Sequence, residues 1–140
     1  MELQIKKLNP GAKLPQFAHD TDAGMDFFAL NDVEIKPGER CLIDTGIAMA
    51  LPSGCVALIW DKSSVPTKKG VTTLAGVLDE GYRGEVKILV LNISNEIQTF
   101  AAGDKVAQVL IQKVEHPQII EVAELDETTR GEGGFGSTGS

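Results

Sequence analysis

Along this chain, short runs of alternating apolar and polar residues recur roughly every eight to twelve positions, and Gly, Pro and Asp interrupt them. Hardly any window carries the 3.6-residue apolar period of an amphipathic helix, so the pattern predicts an all-β protein. Expected strands are 3–8, 25–29, 33–36, 40–50, 55–61, 71–74, 85–93, 105–114 and 119–125, with turn chemistry from PGER at 37–40 and LPSG at 51–54. In 85–93, Val86, Ile88 and Val90 share one face, while Lys87, Leu89 and Leu91 share the other. Apolar residues on both faces call for cover on both, which a lone sandwich rarely provides and an oligomer does.

Composition narrows the partners. With 140 residues, 42% of them hydrophobic, the chain has the material for one domain with a real core. No run approaches the ~18 apolar residues of a membrane span, and the opening MELQIKKLNP lacks the apolar stretch of a secretion signal. The expected compartment is therefore cytoplasmic, with no membrane partner, and Cys41 and Cys55 are expected as free thiols in strands. A net charge of −7 without any basic run argues against a nucleic-acid surface. A small polyanion remains a candidate ligand, provided a few cations converge and a divalent metal neutralises the rest.

The last eleven residues, RGEGGFGSTGS at 130–140, combine a guanidinium, a flexible donor-rich backbone and one aromatic ring. Arg130 can fork onto phosphate oxygens, Phe135 offers a stacking face, and Gly136, Ser137 and Thr138 add peptide N–H groups and hydroxyls. Gly/Ser-rich ends are commonly frayed linkers. The alternative is a lid that closes over a phosphorylated, ring-bearing ligand.

Four more segments carry more glycine and polar groups than strands require. In HDTDAGMDFFA, 19–29, Asp20, Asp22 and Asp26 crowd together, but a calcium loop counted from Asp20 would meet Met25 and Asn31 where it needs Gly and Glu. These acids read as turn caps, with at most one facing a ligand. WDKSSVPTKKG, 60–70, reads as a polar loop in which Lys62, Ser63 and Ser64 form either an ordinary connection or a phosphate cradle. LAGVLDEGYRGE, 74–85, reads as a β-hairpin whose Asp79 is either a turn former or a general base, with the chain's one tyrosine, Tyr82, three residues on. In AGDKVAQVLI, 102–111, Gln108 interrupts a strand.

Taken in order, AGMDFFA, DKSS, AGVLDEGYRGEVK, GDKVAQVLI and RGEGGFGSTG resemble the five motifs of the trimeric dUTPase family, over almost the whole chain. The resemblance implies a jelly-roll-like β-sandwich or barrel, residues 1–125, and a flexible lid, residues 126–140. It implies a homotrimer with active sites shared between subunits, hydrolysing dUTP to dUMP and pyrophosphate with Mg²⁺. Carried onto these positions, Asp79 would activate the water, and Tyr82 would lie under the deoxyribose and exclude a 2′-hydroxyl. The backbone around Leu74, Gly76, Val77 and Leu78 would read the uracil edge. Lys62, Ser63, Ser64 and Gln108 would hold phosphates, Lys87 would line the substrate site, and Asp26 would meet Mg²⁺ through water. Arg130, Phe135, Gly136, Ser137 and Thr138 would form the lid. One departure is Lys62, where many members carry Arg, whose planar fork a lysine cannot reproduce.

Two other readings share the fold. A dCTP deaminase, alone or bifunctional with dUTP hydrolysis, would need a catalytic Glu where this chain has Leu89. A trimeric nucleotide-sensing regulator would need neither Asp79 nor a closing tail.

Overall fold

The computed structural model describes residues 1–134. In chain order the elements are β1 (Gln4–Lys7), β2 (Met25–Phe28), β3 (Val33–Ile35), β4 (Arg40–Ala50), β5 (Cys55–Asp61), α1 (Ser64–Lys69), β6 (Val71–Thr73), β7 (Val77–Leu78), β8 (Glu85–Asn92), β9 (Gln98–Phe100) and β10 (Lys105–Lys113). One antiparallel sheet runs β1, β4, β8, β6 and the other β2, β10, β5, β7, while β3 and β9 form a separate ribbon. The jelly-roll-like sandwich expected from the sequence is the fold observed.

Period-two alternation builds the core. Val86, Ile88 and Val90 of β8 and Ile43, Ile47 and Met49 of β4 meet Ala57 and Ile59 of β5, Val109 of β10 and Phe27 of β2 in one buried cluster. Two polar groups buried with it are satisfied. Thr45 Oγ1 donates to the Val86 carbonyl at 2.5 Å. The Asn92 amide donates to the carbonyls of Ile35 and Glu96 and accepts from Ser94, tying the end of β8 to β3. Cys41 and Cys55 are free thiols.

The structure departs from expectation in three places. Residues 60–70 are not an open loop, since α1 occupies most of them. Pro66 sits in its first turn, where the missing N–H costs nothing, and the Gly70 N–H closes the last turn on the Pro66 carbonyl. Among the described residues no helix is long and apolar enough to cross a membrane. Second, 74–85 is not a plain hairpin. β6 pairs with β8, but the connection between them crosses to the opposite sheet, where β7 pairs with β5. Third, 119–125 forms no strand. Ile119 and Leu125 are exposed, because an apolar alternation becomes a strand only when a neighbour takes its backbone hydrogen bonds. The short strands β7 and β9 were not foreseen.

Replacing Asn92 with Ala leaves the buried Ile35 carbonyl and the Ser94 N–H without their partner, while the Ser94 hydroxyl still reaches the Glu96 carbonyl. The expected cost is at least about 2 kcal/mol of stability, read as a lowered denaturation midpoint, whereas an unchanged midpoint would show that water replaces the amide.

Candidate active site

The register of β10 aligns a polar row across one sheet. Gln108 lies directly opposite Asp26 of β2 on one side and Trp60 of β5 on the other, and directly opposed residues share a face. That face points away from the core, since the next pair in the ladder, Val109 and Ile59, is buried in it. The Gln108 amide donates to the Asp61 carbonyl at 2.8 Å. Room for this side chain comes from Gly24, where a Cβ would stand 2.8 Å from Gln108 Oε1 and 3.1 Å from its Cβ. Asp61 itself turns to the other sheet, accepting from the Thr72 hydroxyl at 2.7 Å and the Thr73 N–H at 2.6 Å.

Asp26 is almost wholly buried although it faces away from the core, because two ammonium groups cover it. Lys62 Nζ lies 2.8 Å from Oδ1 and Lys105 Nζ 2.7 Å from Oδ2. Burial alone would push this carboxyl up, but the hydrogen bonds and charges of Lys105 and Lys62 together hold it below its usual range. Lys62 is followed by Ser63 and Ser64 at the start of α1. Lys62, Ser63, Ser64, Gln108 and Asp26 therefore lie at one end of the sheet. Lys105, Trp60 and Asp61 are additions that motif reading missed. Of the acids at 20–26, Asp22 caps a turn by accepting from the His19 N–H at 3.1 Å.

A second cluster surrounds the turn after β7. The Tyr82 N–H donates to the Asp79 carbonyl at 3.1 Å, which closes the turn. Among the described residues the exposed Asp79 carboxylate accepts no hydrogen bond, so the turn does not consume it. Glu80 ties the turn down instead, accepting from the Gly54 N–H at 2.8 Å; this bond, with one from Ser53, keeps its carboxyl below the usual value. Tyr82 donates its hydroxyl to the Glu85 carbonyl at 3.0 Å, and its ring lies so close to Gly84 that a Cβ there would stand 2.6 Å from Cζ. Upstream, Ala75 takes a left-handed φ of 59°, a strained conformation for alanine, and the Gly76 carbonyl accepts from the Ile59 N–H at 2.7 Å. Val77 and Leu78 complete the edge of this segment, and the Leu74 N–H donates to the Leu89 carbonyl.

The two clusters do not meet within one chain. Leu78 pairs with Ala57 near the start of β5, whereas Lys62 follows its end. At ~3.3 Å per strand residue, Asp79 and Lys62 stand roughly 20 Å apart along the sheet. Lys87 lies on the other sheet, 2.7 Å from Asp44 and 3.4 Å from Glu85. Its bond to Asp44, with the charges of both acids, raises its pKa. Arg130 is exposed and donates to the Gly133 carbonyl at 2.8 Å, and among the described residues it forms no hydrogen bond or ion pair with another candidate. Phe135, Gly136, Ser137 and Thr138 lie outside the described residues.

The molecule is thus a two-sheet antiparallel sandwich with two lysines on one polar face and a turn that presents an unengaged carboxylate. Comparison with known proteins makes this specific. A dUTPase family model matches residues 11–139, and the chain belongs to that family. It is 46% identical to the deoxyuridine 5'-triphosphate nucleotidohydrolase of Clostridium kluyveri, covering 100% of this chain and 99% of that one. It is 43% identical to the protein of the same name from Mycolicibacterium gilvum, covering 98% and 94%. Its fold matches a Staphylococcus bacteriophage 80alpha dUTPase solved with dUpNHpp, at a TM-score of 0.90 and 29% identity over 99% of each chain. It also matches a mutant dUTPase of a Staphylococcus aureus phage, phi11, described with a structural Mg(II) ion, at a TM-score of 0.83 and 28% identity over 91% of this chain and 100% of that one.

The lysine clasp sets a pH signature. The Asp26 carboxyl titrates below its ordinary value in the folded chain, so its contribution to stability is complete above about pH 4 and is lost as the pH falls through the folded value. The stability difference between wild type and Asp26→Asn, measured by denaturant unfolding, should be full at pH 7 and shrink below about pH 4. An equal difference at pH 3 and pH 7 would contradict this.

Proposed function

We propose that this protein hydrolyses dUTP to dUMP and pyrophosphate, as a homotrimer whose active sites draw on more than one subunit. The observation that carries the reading is the DEGY turn, which presents the Asp79 carboxylate unengaged while Glu80 and Tyr82 are pinned around it. A general base needs that arrangement, with a lone pair available and its position fixed by neighbours. Asp79 takes the proton of a water whose oxygen attacks the α-phosphorus. The bond from that phosphorus to the oxygen bridging the α- and β-phosphates breaks, and pyrophosphate departs.

The remaining roles follow from place and chemistry. The backbone of Leu74, Gly76, Val77 and Leu78 reads the uracil edge, and the Tyr82 ring, its hydroxyl end close to Gly84, fills the space of a 2′-hydroxyl. Lys62, Ser63, Ser64 and Gln108 take the phosphates, and Lys87 borders the substrate. The separation of Asp79 from Lys62 supports a site in which the turn comes from one subunit and the phosphate row from its neighbour. The outer face of the first sheet supports association too, since exposed Leu42 lies opposite half-buried Leu89 there. Residues 126–140 act as the lid, Arg130 on the phosphates and Phe135 on the base.

Among the described residues no three acids, histidines or cysteines group as a metal cage. The single buried carboxylate of Asp26, already shared by two lysines, fits Mg²⁺ that arrives on the triphosphate rather than one resident in the protein. Once bound, Mg²⁺ supplies neutralising charge for the phosphates in an otherwise acidic protein. Asp26 would hold it through water. At the deaminase position, Leu89 offers no proton carrier, so deamination is not favoured.

The test is pyrophosphate release from each nucleoside triphosphate. dUTP should be strongly preferred over dCTP, dTTP and UTP, and equal rates for dUTP and UTP would sink the role given to Tyr82. Asp79→Asn should bind dUTP nearly as wild type while kcat falls ~10² to 10⁴-fold; retained turnover would assign the base elsewhere. Truncation after Thr129 should leave the unliganded melting temperature unchanged and lower kcat/KM at least about tenfold, because the lid excludes bulk water only when it closes. A truncated enzyme with full kcat/KM would make the tail a passive linker.

A further inference from the structure

Lys105 has no role in the site as assigned so far, yet the backbone is bent to bring it there. In a flat strand, residues 105 and 108 would face opposite sides of the sheet, because side chains alternate. The ladder between β10 and β2 shifts register between Lys105 and Ala107, so Lys105 lies opposite Phe28, Ala107 opposite Phe27 and Gln108 opposite Asp26. Val106 is the extra residue of this β-bulge, and it and Ala107 are consecutive and both fully buried. The shift places Lys105 on the same outward face as Gln108 and Asp26, with its ammonium 2.7 Å from Asp26 Oδ2.

We propose that Lys105 is a positioning residue for triphosphate binding, holding the far oxygen of Asp26 so that Lys62 engages only the near one and can transfer to the incoming phosphate chain. This rests on the dUTP hydrolysis proposed above. The geometry divides the labour between the two lysines. Lys105 is fixed to the sheet by the bulge, whereas Lys62 lies beyond the end of β5, on the connection into α1. Without Lys105 the buried carboxylate would depend on Lys62 alone, and every phosphate that recruited Lys62 would leave Asp26 no direct counter-charge, only Mg²⁺ held at a distance through water. That penalty falls equally on bound substrate and transition state, so it appears in KM and not in kcat.

Lys105→Met should therefore raise KM for dUTP about tenfold with kcat within about threefold of wild type, and Lys105→Arg should restore KM to within about threefold. Lys68→Met, which removes another lysine from the cleft beside α1, should change neither constant. In an Asp26→Asn background Lys105→Met should add less than about twofold, because the residue acts through that carboxylate. Wild-type KM in Lys105→Met, or an equal loss in the Asp26→Asn background, overturns the inference. Should Lys105→Met fail to fold, lysine-ammonium NMR of the wild type decides. Adding dUpNHpp with Mg²⁺ must shift the Lys62 signal and leave Lys105 paired with Asp26, and release of Lys105 overturns the assignment. A wild-type protein that releases no pyrophosphate from dUTP would instead overturn the functional reading, leaving the resting Lys105–Asp26 ion pair to be seen in the same spectra.

Discussion

Strand β5 sets the geometry on which the function depends. Its outer edge toward β10 aligns Trp60 with Gln108, and through Gln108 with Asp26, while its other edge carries β7 and the turn that presents Asp79. Because both pairings are antiparallel and in register, the separation of Asp79 from the phosphate row is fixed by the rise of the strand and cannot be closed by side-chain motion. A chain folded this way keeps the two groups of residues apart on one sheet, and in the proposed site a second copy brings them together.

Each group is made rigid in a different currency. Around Asp79 the work is done by neutral and charge-assisted bonds to backbone: Glu80 to Gly54, Tyr82 to Glu85, and the turn closure itself. Around Asp26 it is done by charge, one buried carboxylate between two ammonium groups, which leaves one positive charge in excess where the proposed site takes phosphates. For a chain of net charge −7 this local reversal of sign suits the polyanionic substrate proposed for it.

The alternation made most of the sandwich legible in the sequence, and β4 and β5 have the bounds it predicts. What stayed hidden depended on pairing partners. Residues 119–125 alternate as a strand does but have no neighbour in the chain, and β7 is too short to announce itself without β5 beside it. Helix α1 did leave a signal, since Ser63, Pro66 and Gly70 stand where a short helix begins and ends, but a polar composition was read there as loop. Gln108 was picked out because it breaks an apolar run. Lys105 gives no such signal, since flat-strand parity would put it on the face opposite Gln108. The adjacent apolar pair Val106 and Ala107 between two polar residues was the available sign of the bulge.

The most direct test of a site divided between copies is subunit mixing. Asp79→Asn lacks only the turn's half-site function and Gln108→Ala impairs only the phosphate row, so each pure variant should be nearly inactive toward dUTP. If one site is built from two subunits, denaturing the variants together and refolding them should yield mixed assemblies in which some sites have both halves intact, and a substantial fraction of wild-type pyrophosphate release should return. If each chain carried a complete site of its own, no mixture would exceed the sum of the two pure variants, and that result would contradict the account.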